Sequence, residues 1–169
     1  SAVTTTVWAQ SSQIPTDLGG ATYDTFLQVA DDAASGTLDP YAVVFYEVEA
    51  SVSTPFYIAI EGADSGAAID GNNDLTADTV GSYLDIIGGT GAVTTPGARE
   101  LTFASRAAAT TGGVVLSTTS YENDDDLGWT YVGPFLPSQG ELLGNKYYFR
   151  VVFSIDPAVV DRNAFRLDI

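Results

Sequence analysis

The chain has 169 residues, twenty-two of them acidic and six basic, for a formal net charge of −16, and it contains no histidine, cysteine or methionine. These absences exclude a Ser–His–Asp triad, a cysteine nucleophile, a disulfide framework and imidazole or thiolate zinc sites. The charge balance disfavours nucleic acid and anionic membrane surfaces, which are bound through basic patches, and no stretch approaches the ~20 apolar residues of a membrane-spanning helix.

The elements predicted along the chain are mostly strands. The chain starts at Ser1 without a methionine, as expected of a processed, secreted protein. Residues 3–9 form a β-prone, uncharged segment in which Val3, Thr5 and Val7 alternate. Such a segment is either an ordinary first strand or one that completes a neighbour's sheet through backbone pairing. Residues 23–30 give a second strand, and residues 31–39 a turn-rich stretch. Residues 41–50 form a long β-rich run whose second half admits Glu47 and Glu49, as a strand emerging into solvent does. Pro55 opens a shorter strand over residues 56–60, a position where a missing N–H is tolerated.

A long acidic loop follows. Asp70, Asn72 and Asp74 alternate within Asp70-Gly71-Asn72-Asn73-Asp74, with Asp64 upstream and Asp78 downstream. Oxygen ligands at alternate positions around a glycine suit calcium, which takes six to eight oxygens. The spacing resembles the start of an EF-hand loop, but Gly81 stands where the bidentate glutamate belongs, so a polar turn with an Asx cap is the competing reading. A helical turn over residues 74–83 and a strand over 83–87 come next. The Gly88-Gly89-Thr90-Gly91 run lacks the lysine and strand–helix context of a phosphate loop. Residues 100–105 and 114–119 are predicted strands; the Ala-rich residues 106–110 are too short to matter.

Glu122, Asp124, Asp125 and Asp126 form a second acidic loop, a place for a divalent ion or a solvated turn. Residues 129–132 give a strand on which Trp129 and Tyr131 share a face beside Tyr121, where exposed rings stack on sugars or serve as packing. The clearest alternation runs through residues 146–155: Tyr147, Phe149, Val151, Phe153 and Ile155 on one face; Tyr148, Arg150, Val152 and Ser154 on the other. Residues 163–169 form the last strand, with the alternation still running at Ile169.

About ten strands, frequent turns and little helix predict an all-β fold, an antiparallel β-sandwich of jelly-roll or Greek-key type. It is expected to be a single domain over residues 1–169, with residues 1–13 as an extended N-terminal strand or arm. The aspartate-rich, lysine-poor composition suits a saline environment, where salt screens like-charge repulsion. The expected function is a non-catalytic extracellular or cell-surface module that self-associates or joins other surface proteins, with calcium at its acidic loops. A carbohydrate-binding or adhesive module using Trp129, Tyr131 and Tyr121 is the alternative, and a glycan-active enzyme with paired carboxylates the third.

Overall fold

The computed structural model describes residues 27–30, 40–62, 80–100, 103–122, 130–155 and 162–168. The strands among them are β1 (Leu27–Ala30), β2 (Tyr41–Glu49), β3 (Phe56–Gly62), β4 (Val80–Gly88), β5 (Val114–Glu122), β6 (Thr130–Phe135), β7 (Glu141–Leu143), β8 (Lys146–Ile155) and β9 (Arg162–Asp168). They pair antiparallel throughout, in two sheets ordered β1-β9-β3-β6 and β2-β8-β4-β5, with β7 also paired to β8. Helix is confined to α1 (Arg106–Ala109) and a 3₁₀ turn at Pro137–Gln139. The chain is therefore all-β, as its period-two pattern predicts. No helix among the described residues is long and apolar enough to cross a membrane.

Alternation in the sequence becomes burial on one face. Phe149, Val151, Phe153 and Ile155 of β8 enter one apolar cluster with Val44 and Tyr46 of β2, Ile58 and Ile60 of β3, Leu84 and Ile86 of β4 and Phe165 of β9, so both sheets supply the same core. Aromatic pairs bridge the sheets: Phe56 meets Phe149 edge-on at 5.2 Å, and Phe153 meets Phe165 at 3.9 Å between centroids. Each such fully buried ring is worth about 1.5–3 kcal/mol of transfer free energy.

The opposite face of β2, β8 and β4 is covered as well. Tyr41, Val43, Phe45, Ile87 and Val152 form a second buried cluster with Ala92, Val93 and Ala109 of the β4–β5 connection, residues 89–113. This overturns part of the sequence reading. The described residues of the predicted strand 100–105 are not in a strand, and residues 106–109, set aside as too short, form α1. Ser105 caps α1, its Oγ accepting from the Ala108 N–H at 3.2 Å. The physical reason is tertiary: small side chains let this connection lie flat on the sheet, and packing overrides local strand preference. Close approach is built in at Gly113, at φ +69°, where a Cβ would sit 2.4 Å from the Gly88 carbonyl oxygen.

Candidate functional site

The sheet registers sort the connections by end. Val80 pairs with Glu122 and Ser82 with Ile155, while Tyr41 pairs with Ser154, so the start of β2, the start of β4, the end of β5 and the end of β8 lie together. In the other sheet Ala30 pairs with Arg162, Ile60 with Thr130 and Gly62 with Phe165, which gathers the ends of β1 and β3 with the starts of β6 and β9. The segments joining these ends (31–39, 63–79, 123–129 and 156–161) carry twelve of the sixteen aspartates. The connections at the other end (50–55, 89–113, 136–140 and 144–145) carry one acid, Glu100.

The metal-ligand expectations at Asp64, Asp70, Asn72, Asp74, Asp78, Asp124, Asp125 and Asp126 lie outside the described residues, as do Trp129 and the assembly residues Val3, Thr5 and Val7. Glu122 ends β5, opposite Val80. Among the described residues no group of three or more acidic side chains is disposed to hold a metal ion.

Three charged residues that sequence reasoning missed as a set pin residues 89–113 to the sheet. Glu141, at the start of β7, is buried and accepts hydrogen bonds from the backbone N–H groups of Gly91 (2.9 Å), Val93 (2.7 Å) and Thr94 (3.1 Å), and from the Thr94 hydroxyl. Burial pushes its carboxyl up, but the bonds from the Thr94 side chain and from the three N–H groups outweigh it and hold the group below the ordinary glutamate value. Asp85, buried on β4, receives both Nε and Nη2 of Arg106 at 2.8 and 2.6 Å, and the Thr118 hydroxyl at 2.5 Å. The Arg106 guanidinium also lies 4.1 Å from the Tyr83 ring centroid. Its bond to Asp85 raises its already high pKa. Arg150, fully buried on β8, donates through Nη2 to the Thr111 carbonyl at 2.6 Å, while its Nε and Nη1 have no hydrogen-bond partner among the described residues. A Gly89 N–H to Gln139 carbonyl bond of 2.6 Å adds a fourth tie.

The aromatic residues divide. Tyr131 is 69% exposed on the outer face of its sheet, directly opposite Ala59. Tyr121 is a correction to the expected ligand face: it is 7% exposed and packs in the core 6.1 Å from Phe153, because it falls on the inward register of β5. Tyr57, which sequence reading placed merely inside a strand, is 47% exposed. Its neighbours Phe56 and Ile58 are buried, so alternation alone marks it as outward-facing. Glu47 and Glu49, expected to emerge into solvent, are tied across strands: Lys146 bonds Glu47 and lies 3.5 Å from Glu49, and the Tyr148 hydroxyl donates to Glu47 at 2.8 Å.

Comparison with protein-family models, with curated proteins and with solved structures returns no match for this chain.

Proposed function

We propose that this chain is a non-catalytic structural module of a cell surface or extracellular matrix: a jelly-roll β-sandwich that self-assembles through an open sheet edge and is stabilised by calcium at its acidic end. The jelly-roll reading is supported by the strand orders β1-β9-β3-β6 and β2-β8-β4-β5, a four-stranded sheet and a five-stranded one that also holds β7, exchanging strands as two Greek keys do, with one core fed from both. A non-catalytic role is supported by the missing histidine and cysteine, and by the engagement in structural hydrogen bonds of Asp85 and Glu141, the buried carboxylates among the described residues. The acidic, lysine-poor composition supports a saline exterior.

The observation that carries the reading is β5. Natural edge strands are blunted by charge, proline or brevity. β1 has four residues, β2 carries Glu47 and Glu49, and β6 is interrupted by Gly133-Pro134 at a register shift. β5 is nine residues long, has no charge or proline before Glu122, exposes Val114 (59%) and Val115 (45%), and has only β4 beside it among the described residues. Its regular stretch, Ser117 to Tyr121 opposite Ile86 to Ser82, suits an added strand, and the uncharged Val3–Val7 segment of a second copy is the proposed donor.

Light scattering and electron microscopy of the purified chain test this. Polymers are expected with calcium present. The double variant Val115→Lys/Ser120→Lys, and separately deletion of residues 1–10, should leave monomers with an unchanged melting temperature. A wild type that stays monomeric with and without calcium rejects the self-assembly, and polymers that survive the two lysines reject β5 as its route.

A further inference from the structure

The outer face of the β1-β9-β3-β6 sheet carries a feature that assembly through β5 does not use. Tyr57 and Tyr131 are the large hydrophobic side chains exposed on it among the described residues; the others that are exposed, Val114, Val115, Leu136 and Leu142, belong to β5, to the connection after β6 and to β7. Tyr131 pairs directly with Ala59, a small residue that is 7% exposed and lies two positions from Tyr57 on the same face of β3. Tyr57 lies where the register between β3 and β6 shifts, so no residue of β6 is paired directly with it; Gly133, which has no side chain, and the exposed Pro134 fall in that interval. Two positions along β3, about 7 Å at ~3.4 Å per residue, separate Tyr57 from Ala59, the residue opposite Tyr131. Glu61, Arg166 and Asp168 hold the adjoining register positions, Glu61 paired with Arg166 and Ala59 with Asp168.

Two phenol rings set apart on one sheet face, with Glu61, Arg166 and Asp168 at the adjoining register positions and no large aliphatic side chain exposed beside them among the described residues, lack the contiguous apolar centre of a protein–protein contact. They fit a ligand that is itself two-sided, with an apolar C–H face and a polar rim, which is the character of a pyranose ring. A chain charge of −16 repels sulfated, uronic-acid and phosphodiester polymers and leaves neutral or amino-sugar chains. We infer that the Tyr57–Tyr131 face is a glycan-binding platform for a neutral or amino-sugar polysaccharide, each ring stacking on one sugar of the chain.

Retention on immobilised cellulose, xylan, mannan and chitosan, followed by titration with soluble oligosaccharides of the retained type, tests the platform. Wild type should bind at least one of these polymers, and Tyr131→Ala and Tyr57→Ala should each weaken binding about tenfold, the loss expected of one stacked ring. Tyr131→Phe should retain binding, because the ring face remains, and circular dichroism should show all three variants folded. The inference is overturned if wild type ignores all four polymers, if it binds only anionic polymers such as heparin, or if Tyr57→Ala/Tyr131→Ala binds as wild type does.

Discussion

At the scale of single residues, the charged groups that matter most to stability are the few buried ones. Glu141 collects four donors on one carboxylate, and charge-assisted bonds of this kind are about twice as strong as neutral ones. Its carboxyl is held below the ordinary value, so the stability it adds is fully present above the unfolded glutamate pKa of about 4.3 and is lost as pH falls through the lower folded value. Glu141→Gln removes the charge and turns an NH₂ toward N–H groups that need an acceptor. We expect it to cost about 2–3 kcal/mol in urea unfolding at neutral pH, with a smaller further loss on acidification than wild type shows. An equal acid sensitivity in the two proteins would mean that another carboxylate dominates. Arg150 explains why the same region tolerates a buried cation: Glu141 lies close enough to oppose the burial that pushes the Arg150 pKa down.

At the scale of elements, the strands were legible and the connection lying on them was not. β8 reads directly from Tyr147 to Ile155, because strict alternation of β-branched and aromatic residues has no helical counterpart. β7 was missed, although its signal is present: Leu143 pairs with Lys146 across Gly144-Asn145, a two-residue hairpin loop with Gly144 at φ +65°. Residues 89–113 were illegible for a different reason. Their Gly, Ala and Thr content carries no period, and their conformation is set by what they rest on. The position of Arg106 in a capped single turn became meaningful only once β4 placed Asp85 beneath it. Sequence reading thus found most of the strands and missed the ties between connection and sheet; of the expected aromatic face Tyr131 is exposed and Tyr121 is in the core, and Tyr57 was passed over. Arg106→Ala should leave the Asp85 carboxylate buried with the Thr118 hydroxyl as its remaining side-chain partner. We expect a loss of about 2 kcal/mol, less than for a wholly buried pair because the guanidinium is about a third exposed. Hydrogen exchange should quicken in residues 103–113 ahead of β8; unchanged exchange there would show that the apolar cluster alone holds the connection down.

At the scale of the whole molecule, the topology turns a charge excess into a polarity. Every connection between the paired strand ends of the two sheets at one end is aspartate-rich, whereas the opposite end carries a single acid in its connections. Like charges concentrated this way destabilise the folded chain more than the same charges dispersed, and the unfolded chain relieves the repulsion by separating them. Two causes of relief can be told apart. Screening depends on ionic strength alone, and the Debye length falls from about 30 Å at ~0.01 M salt to about 3 Å at ~1 M. Site binding adds RT ln(1 + [L]/Kd) for an ion that favours the folded state, about 2.7 kcal/mol at a hundredfold excess over Kd. The melting temperature should therefore climb with sodium chloride across that range. Calcium chloride at matched ionic strength should raise it further, and EDTA should remove only that extra increment. Identical curves for the two salts would assign the acidic end to screening and end the case for calcium. A melting temperature flat in both would show that the twelve aspartates stand far enough apart in the folded chain to ignore one another.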